Sequence, residues 1–218
     1  MNRIEKSIYA LISLLTLTGI LIAFFSPDSF KHQFVVEDGF IEWLTVITLL
    51  IAFVVCVYRV ITLWSKKRWL FLTMTALLAL VLLFVAGEEI SWGQRILNID
   101  SSEFFLENNA QRETNLHNMR VNGVKINKII FTYGLGVILL TYWLLLTPLY
   151  HKNDIAQRWL DNLAAPIPHK HQIIAYFILV FAIQALVLSS KRGELLECCG
   201  VLLFLVNILY PYNQENFK

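Results

Sequence analysis

Charge is what this sequence has little of. Only 16% of its 218 residues are charged and 57% are hydrophobic, whereas soluble domains run at about 25% charged and about 45–50% apolar. Too few polar side chains remain to coat a soluble surface. The composition therefore reads as an integral membrane protein, a single transmembrane domain over 1–218. The net charge of +2 and the absence of any basic run longer than Lys66-Lys67-Arg68 carry no nucleic-acid signal. A charged stop at a membrane helix end accounts for that run.

Cysteine is also scarce. Cys56, Cys198 and Cys199 all lie in apolar stretches, without the CxxC or Cys/His spacing of a zinc site and without the pattern of a disulfide framework. No Asn-x-Ser/Thr sequon occurs, so glycosylation gives no topology marker. The apolar run Ile8–Phe25 follows a basic start. It is too long for a signal peptide and no small-x-small cleavage site follows, so it reads as a first, uncleaved membrane helix.

What the sequence does have is long apolar runs. About 20 such residues cross a bilayer as a helix, and six stretches qualify: 7–25, 41–63, 69–87, 129–149, 172–190 and 194–210. The expected fold is an all-α bundle of about six membrane helices. The last stretch is the weakest, because its uninterrupted apolar part runs only from Cys198 to Tyr210. To cross, it must draw in Glu194 and Glu197; a re-entrant segment is the alternative. Residues 88–128 form the one long polar, partly helical segment, on the outer face.

With the N-terminus inside, ten Lys/Arg fall on the inner side and eight on the outer. The positive-inside rule then places both termini in the cytoplasm, across a bacterial inner membrane. The acids divide more sharply: twelve of the sixteen fall on the outer face. A short echo links "GFIEWLTVITLL" (39–50) with "ELLECCGVLLFL" (194–205), each placing one Glu a turn into an apolar helix. It reads either as a three-plus-three repeat or as chance.

The candidate site lies where these acids meet. Glu88 and Glu89 close the third apolar run, at a helix C-terminus whose dipole opposes them. Glu42 and Glu197 open the second and sixth runs, where the dipole favours them as ordinary helix-end acids. Ionisable groups at membrane depth tend to face a cavity, a partner or water. On a continued helix, Glu88, Trp92 and Arg95 share a face. Arg95 then pairs with the acids or with a lipid phosphate, and Trp92 is an interfacial anchor.

The second cluster is "ENNAQRETNLHNMR" (107–120), which lacks Gly and Pro and is expected to be helical. That would stack Asn109, Glu113 and His117 on one face, beside a stripe of Asn108, Gln111, Asn115 and Asn118. Amides in place of Lys and Glu suit a buried network or a polar ligand. Phe104, Phe105, Leu116 and Met119 would anchor the segment at the interface. A Glu113–His117 pair would act as an oriented base; a hydrogen-bonded structural His is the alternative. Carboxylates with one His would also hold a divalent metal, through Glu88, Glu89 and His117, although neither HExxH nor ExxH is present.

"GEEISWGQR" followed by "NAQRETNLHN" resembles a motif pair of bacterial multi-pass membrane proteins of unassigned function. The resemblance covers residues 87–118. It implies that Glu88, Glu89, Trp92, Gln94, Asn109, Gln111, Glu113, Asn115, His117 and Asn118 belong together, and implies no activity. Membrane ceramidase-like hydrolases are similar in helix number but need several metal-binding histidines on one face, which this chain lacks.

Three functions follow as expectations. The first is an enzyme acting at the outer leaflet on a lipid or lipid-linked substrate. In it Glu88 or Glu89 works with Glu113 and His117, while Glu42, Trp92, Gln94, Arg95, Asn109, Gln111, Asn115, Asn118 and Glu197 bind substrate. The second is a small-solute or ion transporter. The third is a sensor or assembly subunit that binds a membrane partner or a second copy of itself.

Overall fold

The computed structural model describes residues 1–121, 124–126, 129 and 133–218. Helices dominate: α1 Arg3–Phe25, α2 Phe40–Leu63, α3 Trp69–Glu89, α4 Glu103–Asn108, α5 Leu135–Thr141, α6 Thr147–Lys152, α7 Asp154–Asn162, α8 Lys170–Leu186 and α9 Arg192–Leu209. A π-helical turn, Tyr142–Leu146, joins α5 to α6. Among the described residues, extended pairing is confined to a two-residue antiparallel ladder, Arg120–Val121 with Val124–Lys125, and a single bridge between Asn109 and Met119. The fold is all-α.

Among the described residues three helices, α1, α2 and α3, are long and apolar enough to cross a membrane, with 23, 24 and 21 residues. At 1.5 Å per residue each reaches or exceeds the roughly 30 Å hydrocarbon core. This is the signature of a membrane protein.

Six such helices are not found among the described residues. The run 172–190 gives α8, which has 17 residues and leaves the helix at Val187, where the backbone turns extended (φ −100°, ψ 96°). The run 194–210 gives α9 with 18 residues, about 27 Å long. Its first turns carry Arg192, Glu194 and Glu197, so the helix does take in both acids. The run 129–149 falls partly outside the described residues, at 130–132.

The chain forms two compact units, Met1–Leu82 with Asp161–Lys218, and Leu83–Leu160. In the first, α9 packs against α2, α8 and α1. Its inner positions, including Leu195, Cys198, Cys199, Leu202 and Val206, are buried, and the interior apolar side chains follow the helical repeat. Leu63, Phe71, Leu72 and Ala164 form a further apolar cluster, joined by Met74 and Phe217.

Polar side chains fasten the ends of this first unit. Arg59 Nη2 donates to the Ile208 carbonyl at 2.7 Å and its guanidinium lies 4.4 Å over the Phe217 ring. Asn213 donates to Asp161 Oδ1 at 2.9 Å and to the Ala165 carbonyl at 3.0 Å, and accepts from the Ile167 N–H at 2.9 Å. Glu5, only 4% exposed, lies 2.9 Å from His171 Nε2.

Candidate functional site

The second unit begins in the last turns of α3, and its polar core starts where that helix stops. After Ile90, three successive residues take left-handed backbone: Ser91 (φ 48°), Trp92 (φ 55°) and Gly93 (φ 75°). Glycine adopts this freely, but a residue with a Cβ loses about 1–2 kcal/mol there. Ser91 and Trp92 must therefore be held by what their side chains touch.

Both are. The Ser91 hydroxyl donates to Glu113 Oε2 and accepts from Asn115 Nδ2 at 2.7 Å; Ser91 is fully buried. Trp92 folds back on α3. Its indole N–H donates to Glu88 Oε1 at 2.9 Å, and its ring meets Phe84 edge-on with centroids 5.6 Å apart. A Cβ on Gly87 would lie 2.8 Å from the indole, so only glycine leaves room for the ring.

Glu88 is the clamp of the unit. While Oε1 receives the indole, Oε2 accepts the backbone N–H of Leu116 at 2.5 Å and of His117 at 3.1 Å. One buried carboxylate thus ties the end of α3 to a strand of chain 28 residues further on. Its charge is met by three N–H donors, which removes most of the cost of burying it.

Glu113 holds a second node. It receives Arg95 Nη1 at 2.8 and 2.9 Å, the Ser91 hydroxyl and Asn115 Nδ2 at 3.2 Å. Gln94 spans the same loop: its Nε2 donates to Ser101 Oγ at 2.6 Å and its Oε1 accepts the Thr114 N–H at 2.7 Å. The Ser101 hydroxyl donates in turn to the Arg112 carbonyl at 2.7 Å.

Residues 109–118 are not helical, which corrects the expectation for 107–120. The helix ends at Asn108, and the amides bond their own backbone in place of a helical ladder. Asn109 Oδ1 accepts the Gln111 N–H at 2.8 Å and Asn115 Oδ1 accepts the Asn118 N–H at 2.9 Å. Asn109 Nδ2 reaches both oxygens of Asn115 at 2.9 Å, and Asn118 Nδ2 reaches Gln111 Oε1. Short polar side chains favour turns over helix for this reason. Asn109, Glu113 and His117 therefore do not stack, and Glu113 pairs with Arg95 in place of His117.

The helix break also separates the proposed face of Glu88, Trp92 and Arg95. Trp92 still reaches Glu88, but by curling back through the left-handed turn, while Arg95 turns to Glu113.

His117 faces the other acid. Its Nδ1 lies 3.8 Å from Glu89 Oε1, with side chains 15% and 7% exposed. That separation forms an ion pair when the imidazole is protonated, and suits two ligands of one cation. Glu88, whose oxygens are taken by three N–H groups, is placed as a structural anchor beside this pair. Among the described residues of the second unit, Glu89 and His117 are an acid and an imidazole whose ligand atoms could share one cation.

The remaining sequence candidates lie in the first unit. Glu42, in the first turn of α2, accepts the N–H of Asp38, the residue before the N-cap Gly39, at 3.0 Å, so its carboxylate braces the chain entering the helix. Glu197 lies in the second turn of α9 and is partly buried. Ser91, Ser101 and Thr114 join the polar core and Gly87 makes room for the Trp92 ring; none of the four stands among the candidates drawn from the sequence. Their signal was a serine directly after an apolar helix, followed by Trp-Gly.

The helices and this core define an α-helical membrane protein with a hydrogen-bonded polar body at the end of a bilayer-length helix. Neither protein-family models, curated proteins nor solved structures give a match to the chain.

Proposed function

We propose that the chain is a multi-pass enzyme of a bacterial inner membrane, acting on a lipid or lipid-linked substrate, with Glu89 and His117 as its proton-transferring pair. The observation that carries this reading is the approach of Glu89 Oε1 to His117 Nδ1 at 3.8 Å. Both side chains are largely shielded from water, and their two acidic neighbours are committed elsewhere. A carboxylate this close to an imidazole is within reach of a proton carried between them directly or through one water. Glu88 fixes the backbone that bears His117, and the network around Glu113 and Asn115 keeps that backbone from shifting. Such support is what a general base needs to hold a fixed geometry.

We take the six apolar segments of the sequence as spans with both termini cytoplasmic, three of them reaching bilayer length as described helices. On that topology the pair lies at the outer face, where lipid head groups are in reach. A divalent metal at Glu89 and His117 would serve the same chemistry by activating water.

The test compares membrane lipids from cells producing wild type, Glu89→Gln or His117→Ala protein, by mass spectrometry. At least one lipid should rise or fall with the wild type and return to the empty-vector level with both variants, while both melt within about 2 °C of wild type. Identical lipid profiles for all three would sink the enzymatic reading.

A further inference from the structure

The segment from Ser91 to Asn118 is built inside out. Four of its uncharged polar side chains are interior: Ser91 is 0% exposed, Asn115 2%, Asn109 6% and Ser101 9%, while Asn98 and Ser102 face outward. Its large apolar groups are exterior: Leu97 is 66% exposed, Ile96 64%, Ile99 57%, Phe104 55%, Trp92 51% and Leu106 44%. In water this arrangement is costly, at roughly 25 cal/mol for each Å² of exposed apolar surface. Isolated exposed apolar residues are ordinary, but six within fifteen positions form a surface with a purpose.

Two features identify what covers it. The first is continuity: the surface begins at Trp92, three residues beyond α3, a helix long and apolar enough to span a bilayer. The second is how the irregular backbone is satisfied. Glu88, Gln94, Ser101, Asn109 and Asn115 supply hydrogen bonds to the loop from within. Non-helical chain is tolerated at membrane depth on that condition. The charged side chains that do face outward, Asp100, Glu103, Glu107 and Arg112, alternate with the apolar ones and set a limit to how deep the segment can sit.

We infer that Trp92, Ile96, Leu97, Ile99, Phe104 and Leu106 form a bilayer-contacting surface that seats residues 91–118 at the boundary between lipid head groups and acyl chains. The segment is therefore a lipid-embedded shelf at the end of α3, in place of a loop standing in water. Amphipathic elements of this depth bury their apolar side about 5–10 Å below the head groups. This inference rests on burial and on α3, and is independent of the chemistry assigned to Glu89 and His117.

The experiment uses the full chain in vesicles of phosphatidylethanolamine and phosphatidylglycerol. A single cysteine is introduced at Leu97→Cys, Leu106→Cys, Asp100→Cys or Glu107→Cys and labelled with an environment-sensitive fluorophore. The native Cys56, Cys198 and Cys199 are buried, which directs the label to the new site. All four positions are exposed, so folding is expected to survive, and having two of each kind guards against the loss of one. Lipids carrying a nitroxide near the start of the acyl chain should quench Leu97→Cys and Leu106→Cys about two-fold or more above the acidic pair, and aqueous iodide should reverse that order. Iodide quenching of all four sites would overturn the inference in favour of a solvated loop. Protection of the apolar pair from both quenchers would overturn it in favour of a protein partner on this surface.

Discussion

Gly87 and Trp92 are matched: the absence of a side chain at one leaves the space filled by the indole of the other. A methyl group on Gly87 would approach the ring to 2.8 Å. The contact fixes the direction in which the chain leaves α3, and with it the position of Glu88 under the indole N–H.

Gly87→Ala should therefore destabilise the protein by about 1–3 kcal/mol through overpacking. In a Trp92→Ala background the same substitution should be close to neutral. The four melting temperatures of this double-mutant cycle in detergent check the coupling, and additive losses would remove it.

The adjacent acids should separate cleanly. Glu88→Gln leaves one acceptor oxygen where three N–H groups converged and turns an NH2 toward them, at a cost of about 1–3 kcal/mol per unsatisfied donor. Glu88→Gln should lower the melting temperature and open residues 109–118 to protease. Glu89→Gln should leave both unchanged. Limited proteolysis with mass mapping distinguishes the two.

Breaking the Arg95–Glu113 pair should be costly from either side. The two side chains are 24% and 14% exposed, so the loss falls below the 3–5 kcal/mol of a fully buried pair, at about 2–3 kcal/mol. Glu113→Ala should cost more than Arg95→Ala, because it also strips the Ser91 hydroxyl of its acceptor. Thermal unfolding of the two variants gives the order.

Arg112 offers the opposite sign. It holds a left-handed backbone (φ 60°) with an exposed side chain, and its carbonyl accepts from Ser101. Arg112→Gly keeps that carbonyl and relieves about 1–2 kcal/mol of backbone strain. It should melt at or above wild type, while the β-branched Arg112→Val should melt below it.

The sequence made α1, α2 and α3 legible because length and apolar content alone decide them. It also flagged Glu88 and Glu89 through a physical conflict, two acids at a helix end whose dipole repels them. The absence of Gly and Pro predicts a helix through 109–118, which the structure does not have. The better signal was the amide content itself: Asn109 and Asn115 compete for backbone N–H groups and so unmake the helix they would have joined. Partner choice was out of reach. Nothing in the spacing of Glu113 and His117 says that one turns to Arg95 and the other to Glu89, because that depends on a left-handed turn more than 20 residues upstream.

That turn at Ser91-Trp92-Gly93 also has a consequence in time. A ribosome completes α3 and this turn well before it makes Glu113, which lies 22 residues later. Until then the Ser91 hydroxyl has neither Glu113 nor Asn115 to offset its strained backbone. The helix end can close only once that later chain is present. The order in which the residues are made thus sets the order in which this turn can gain its side-chain partners.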